Sequence, residues 1–234
     1  MAIDRKTKPK KIILASDHAG FKLKEEIKKF LIKKRKKVLD LGTKNTNSVD
    51  YPNYAHLLSK KIGKDKNQFG ILVCGSGTGM SMAANKHKNI RAALCYNIKS
   101  TKLSRLHNNA NVMTLGSRLI KKNVALRCVN IFLKTDFDGG RRHLRRMKKD
   151  KSQLGILICG SGTGMSIVAN KHKNIRAALC YDIKSTKLSR LHNNANVMTL
   201  GSRLIKKNVA LKCVNTFLET DFDSGRHLRR IKKI

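Results

Sequence analysis

The sequence predicts an α/β fold, a parallel sheet covered by helices, and three observations carry that prediction. Short apolar runs of strand length alternate with helix-patterned segments along the chain. The apolar residues are almost all Ile, Leu, Val and Ala, with no Trp and only 5% aromatic residues, which suits strands buried on both faces. One strand ends in Cys74-Gly75-Ser76-Gly77-Thr78-Gly79, a glycine-rich turn that opens into a helix-compatible stretch.

Residues 1–10 are polar and basic and read as a frayed tail. Lys11–Ala15 is a short buried strand, followed by the polar turn Ser16–Gly20. From Phe21 to about Lys34, apolar residues at Phe21, Leu23, Ile27, Phe30 and Leu31 keep near-helical spacing. Lys37–Leu41 is a second strand, Gly42–Pro52 a loop and Tyr54–Ile62 a helix. A third strand spans Phe69–Val73, and the helix after the glycine turn runs to about Asn85. Arg91–Cys95 and Val112–Leu115 are strands four and five, with a helix at Ile98–Leu106 between them. Asn123–Leu133 is a further helix, and Arg141–Lys149 reads as a basic terminal helix. Right-handed crossovers place the C-terminal ends of the strands along one edge, where ligands bind. Ser16–Gly20, Cys74–Gly79 and Gly116–Arg118 should line that edge.

Residues 155–224 repeat 70–139 almost word for word at an offset of 85. The changes are mild, such as Val73/Ile158, Met82/Ile167 and Asn97/Asp182. An extra Arg in the first copy then shifts the register, so Arg142 corresponds to Arg226. The units are too long and too alike for a solenoid. This is a duplication of half a domain, because nothing after residue 150 repeats Lys11–Ile62. The expected organisation is a complete domain at 11–149 and a half-domain at 155–234.

The chain carries 52 Lys and Arg against 14 Asp and Glu, a formal charge of +38. One reading is a nucleic-acid or other polyanionic partner, driven by counterion release. The other is a lysine-rich bias on solvated faces, with nonspecific polyanion binding as a by-product. Dispersal of the lysines, and the lack of zinc-ligand spacing or RNA-binding aromatic motifs, favour the second. Cys74, Cys95 and Cys128 recur as Cys159, Cys180 and Cys213. They are three positions copied once, not a disulfide framework, and free thiols are expected. No run of 18 apolar residues and no apolar N-terminal signal region occur, so a soluble cytoplasmic protein without membrane contact is expected.

Glycines at 75, 77 and 79 permit positive φ and close backbone approach to a ligand. The helix start offers free N–H groups and partial positive charge. A thiol held there, Cys74, is expected to have its thiolate favoured. No carboxylate cluster or His/Cys spacing points to a metal, and the turn lacks the Lys-Ser/Thr ending of a nucleotide loop, so no cofactor is expected.

Eight motifs in order carry a family resemblance. They are Ser16-Asp17-His18-Ala19-Gly20-Phe21, Asp40-Leu41-Gly42-Thr43, Val49-Asp50-Tyr51-Pro52, Cys74 to Ser81, Ala84-Asn85-Lys86, Ile90-Arg91-Ala92-Ala93, His107 to Val112, and Gly140-Arg141-Arg142-His143. The chain resembles the B-type ribose 5-phosphate isomerases, within the wider family that includes galactose 6-phosphate isomerase. The resemblance implies a three-layer αβα, Rossmann-like, five-stranded parallel sheet with a partial repeat appended. It implies aldose–ketose isomerisation through an enediolate, on a five- or six-carbon sugar phosphate, in a dimer or higher oligomer whose site draws on two subunits.

By that resemblance Cys74 is the proton-abstracting base. The amides of Gly75, Gly77, Thr78 and Gly79 hold the oxyanion, helped by the Ser76 hydroxyl where the family commonly has Thr. His107 opens the sugar ring beside Asn108. Asp17 and His18 contact the sugar, and Arg118, Arg142 and Arg146 bind phosphate. The extra Arg leaves Arg141 and Arg145 as an alternative to the last two. The second copy repeats Cys159, Ser161, His192, Asn193, Arg203, Arg226 and Arg230 but has no counterpart of Asp17 and His18, so it should form no complete site alone. It is expected to act as an internal substitute for a second subunit. The rival expectation is a disrupted isomerase that only binds polyanions.

Overall fold

The computed structural model describes residues 11–62, 68–138 and 154–234. The expected basic helix at Arg141–Lys149, with Arg142 and Arg146, lies outside the described residues. The elements run β1 (Lys11–Ser16), α1 (Phe21–Lys33), β2 (Val38–Asp40), α2 (Tyr51–Ile62), β3 (Gln68–Cys74), α3 (Thr78–Asn85), β4 (Ala92–Leu94), α4 (Ile98–Asn108), β5 (Val112–Gly116) and α5 (Lys122–Lys134). These form a five-stranded parallel sheet in the order β2-β1-β3-β5-β4.

Side-chain alternation splits each strand between two cores. Ile12, Leu14, Ile71, Val73, Met113 and Leu115 face α1 and α5, where they meet Leu23, Ile27, Leu31, Val129 and Phe132. Ile13, Ala15, Leu72 and Cys74 face α2 and α3, where they meet Ala55, Leu58, Met80 and Ala83. Each large apolar side chain buried this way contributes about 1.5–3 kcal/mol. The result is the three-layer αβα arrangement expected. Helix α2 starts at Tyr51, three residues before the expected start. Pro52 falls in its first turn, where a missing N–H costs no helical hydrogen bond.

The repeat gives β6 (Gly155–Cys159), α6 (Thr163–Ala169), β7 (Ala177–Leu179), α7 (Ile183–Asn193), β8 (Val197–Gly201) and α8 (Lys207–Glu219), then α9 (Gly225–Ile231). Its strands form a separate parallel sheet in the order β6-β8-β7, matching β3-β5-β4 of the first. Among the described residues of this half, no strand pairs with β6 as β1 pairs with β3, and no helix stands where α1 covers the first sheet. Ile156 and Ile158, the counterparts of Ile71 and Val73, are therefore 41% and 58% exposed instead of fully buried.

The two sheets are joined through a nearly symmetrical interface. Lys86 Nζ donates to the carbonyls of His172 (3.1 Å) and Ile175 (2.9 Å) in the second copy. Lys171, its counterpart, donates to the carbonyls of His87 (2.9 Å) and Ile90 in the first. Burial lowers both ammonium groups to about 8. Tyr96 and Tyr181 stack with ring centres 3.6 Å apart and planes 6° from parallel. Met82 inserts into the core of the second half, beside Met198, Leu200 and Phe217. At the far end Asp50 accepts hydrogen bonds from Arg229 and Lys233, both at 2.8 Å, and lies 3.5 Å from Arg230 Nε. Among the described residues no helix is long and apolar enough to cross a membrane.

Candidate active site

The turns after β1, β3 and β5 converge at one edge of the five-stranded sheet. Ser117 N donates to Cys74 O (2.8 Å), Arg118 N to Gly75 O (3.1 Å), and the Ser117 hydroxyl to Ala19 O (2.8 Å). Asp17, His18, Cys74–Gly79 and Arg118 are thus tied to one another by backbone bonds, as the strand order requires. Gly77 takes φ 78°, a left-handed conformation that turns the chain from β3 into α3. The Arg118 side chain lies over Gly75, whose missing Cβ would sit 3.6 Å from Arg118 Nε.

Cys74 is 3% exposed, and Gly77 N donates to its Sγ at 3.1 Å. Burial pushes its thiol up to about 12, with the Asp17 charge adding to the rise; the amides of Met80, Gly77 and Ser76 pull the other way. The expectation of a favoured thiolate is corrected here: desolvation outweighs the helix start, and Cys74 rests as a thiol. The amides of the turn are directed at the sulfur, and Thr78 N donates to the Ser76 hydroxyl at 3.3 Å.

Asp17 is 6% exposed and its Oδ1 accepts from Gly20 N at 2.8 Å. Burial raises its carboxyl, opposed by the Gly20 hydrogen bond and by the charges of His18, Arg230 and Arg118. His18 Nδ1 accepts from Val49 N at 3.2 Å, which leaves Nε2 as the N–H of the neutral ring.

Residues of the second copy complete this edge. Asn193 Nδ2 donates to Tyr51 Oη at 3.0 Å, directly above Gly79. A Cβ at Gly79 would come within 2.6 Å of both Asn193 Nδ2 and the Tyr51 ring. Burial holds the Tyr51 phenol well above its ordinary value, with the Cys74 charge second. His192 stacks on His227, ring centres 4.3 Å apart at 10°. Burial lowers His192, and the cations of Arg118 and Arg226 lower it further. Arg230 is 9% exposed and its charge reaches Asp17, Tyr51 and His192.

The first copy's own His107 and Asn108 are not brought to Cys74. They end α4, and Asn108 Oδ1 lies against Gly164, 2.5 Å from where a Cβ would stand, at the mirror turn beginning with Cys159. The structure therefore gathers Asp17, His18, Cys74, the glycine turn and Arg118 of the expected set, and brings His192 and Asn193 of the repeat to this edge instead of His107 and Asn108, as a repeat standing in for a second subunit implies. Tyr51 and Asp50 stood in a quoted motif without an assigned role. Their signal was that acidic and phenolic groups are rare in so basic a chain.

The family model for ribose/galactose isomerase matches residues 12–150 and, a second time, 145–234. The chain belongs to the ribose/galactose isomerase family. The ribose-5-phosphate isomerase B of Escherichia coli (strain K12) is 40% identical over 136 residues, 58% of this chain and 91% of that protein. A ribose 5-phosphate isomerase crystal structure from Thermotoga maritima is 50% identical with a TM-score of 0.55, covering 56% of this family member and 90% of that chain. The ribose-5-phosphate isomerase B of Mycoplasma genitalium, solved with bound ribulose-5-phosphate, is 43% identical with a TM-score of 0.55, covering 56% and 88%. Each spans nearly all of the relative and little more than half of this chain, and the family model accounts for the repeat. The relatives are ribose-5-phosphate isomerases B by name, and this chain is an enzyme of the aldose–ketose isomerase type.

Proposed function

We propose that the protein interconverts ribose 5-phosphate and ribulose 5-phosphate, and that residues 11–149 form the isomerase domain with 155–234 as an appended half-domain. The observation that carries this is the sealed Cys74 thiol, wrapped by the amides of Ser76, Gly77 and Met80 and faced by Asp17, at a sheet edge that also holds Arg118. A ribulose-5-phosphate complex of a relative 43% identical supports the substrate class.

In this mechanism Cys74, deprotonated in the substrate complex, takes the proton from C2 of the open aldose. The C2–H electron pair moves into the C1–C2 bond and the carbonyl π electrons move onto O1. The enediolate is held by the turn amides and the Ser76 hydroxyl. Cys74 returns the proton to C1 while the hydroxyl proton of O2 passes to O1, so that O2 becomes the ketone, O1 the hydroxyl, and no proton or electron is lost. Asp17 and His18 hold the sugar hydroxyls, and Arg118 binds phosphate. The test is the conversion of ribose 5-phosphate by the full chain. Cys74→Ala should lower kcat by about two to four orders of magnitude, with the thermal melt unchanged. Turnover retained within tenfold would refute Cys74 as the base. Failure of the wild-type chain on ribose 5-phosphate with turnover of a six-carbon sugar phosphate would move the substrate assignment and keep the site.

A further inference from the structure

We propose that the second copy closes the first copy's pocket within the same chain, so that each chain holds one working site, with His192, Asn193 and Arg230 as its residues, and one mirror pocket at Cys159 that does not turn over. This rests on the isomerase reading above and adds which copy does what.

The interface is nearly symmetrical, but its two pockets are not. The end of α7 meets the turn of the first copy, and the end of α4 meets the turn of the second. At the first, Asn193 Nδ2 finds Tyr51 Oη at 3.0 Å, and Arg230 lies within reach of Asp17. At the second, the sulfur is dressed in the same way, with Gly162 N donating to Cys159 Sγ at 3.1 Å. Nothing in the repeat corresponds to Asp17, His18, Asp50 or Tyr51. The amide Nδ2 of Asn108 is buried and has no hydrogen-bond partner among the described residues, where Asn193 has Tyr51. A sugar entering the mirror pocket would meet a thiol and the end of α4 with His107, but no counterpart of the Asp17-His18 pair to orient it.

The C-terminal helix makes the same distinction. Helix α9 is fixed by three cations on Asp50, a residue the repeat does not contain. That contact seats Arg230 and stacks His227 on His192 at the first pocket. The set named by motif in the first copy, His107 and Asn108, thus serves the mirror pocket, and its duplicate serves the working one.

The test compares His192→Ala with His107→Ala in the full chain on ribose 5-phosphate. His192→Ala, and His192→Gln as a milder variant, should lower kcat at least a hundredfold, while His107→Ala should stay within threefold. Circular dichroism melts check that each variant folds. The reverse pattern, or equal losses, overturns the assignment. Co-expression of Cys74→Ala and His192→Ala chains under separate tags then asks whether the site lies within one chain. The purified mixture should be no more active than the two alone. Recovered turnover would mean that a pocket takes its residues from two chains. A wild-type chain without turnover on any sugar phosphate overturns the isomerase reading and this inference together.

Discussion

Cys74 and Cys159 end the same strand and open the same turn, yet they stand in different surroundings. Cys74 is sealed beneath α2 and α3, while Cys159 is only half-buried, the repeat having no counterpart of α2 to cover it. Burial pushes the Cys74 thiol up to about 12, so its thiolate is scarce at pH 8. Brief treatment with iodoacetamide at pH 8 should therefore modify Cys159 well before Cys74, as read by peptide mass mapping. Prior labelling of Cys74 would show that its pocket is open and its thiolate stabilised. The placement of Cys74, its glycines and the Asp17-His18 pair at one edge was legible in the sequence because each lies within a few residues of a strand end. The partner histidine was legible only in outline, as His192 of a repeat expected to stand in for a second subunit. His107 and His192 sit in identical eleven-residue helices, and only the docking of the two halves decides which one meets Cys74.

At the scale of elements, α9 is the piece whose position depends on one carboxylate. Burial would raise the Asp50 carboxyl, but hydrogen bonds from Lys233 and Arg229 outweigh it and hold it below 3.8. A group depressed in the folded state adds stability above its unfolded value, about 3.9, and that stability fades as pH falls through the folded value. Docking of α9 should thus be intact at pH 5 and weaken from about pH 4 downward. Amide exchange in α9, corrected for the intrinsic rate, reads this directly. Asp50→Asn should loosen α9 by about 1–2 kcal/mol already at pH 7. Exchange in α9 that is flat between pH 5 and pH 3 would remove Asp50 from this role. The elements themselves followed from apolar patterning, with β1, β3 and β5 placed within a residue or two. Strand Arg91–Cys95 shrank to Ala92–Leu94: the Arg91 backbone N–H donates to the Asn111 side chain at 2.8 Å instead of to a strand carbonyl, although its own carbonyl still accepts from Val112 N. Hydropathy sees the apolar run; it does not see that hydrogen bond.

At the scale of the whole molecule, a charge of +38 makes association with polyanions unavoidable at low ionic strength. Binding to duplex DNA should be independent of sequence and fall steeply with salt, as measured by fluorescence anisotropy between 50 and 300 mM salt, concentrations on the order of those over which counterion release acts. A sequence preference surviving at high salt would show a dedicated nucleic-acid surface. The duplication was plain in the sequence, whereas its docking was not. Nothing in the sequence shows that Tyr96 stacks on Tyr181, or that Lys86 and Lys171 each reach the matching carbonyls of the opposite copy. That pairing has a consequence for how the chain can vary. Between two identical subunits, one change in the coding sequence alters both pockets together. Here the two positions of each pair, such as Cys74 and Cys159 or His192 and His107, are separate letters of one message. Each can be inherited, lost or replaced without its twin, so the mirror pocket is free to drift toward other uses while the working one is kept.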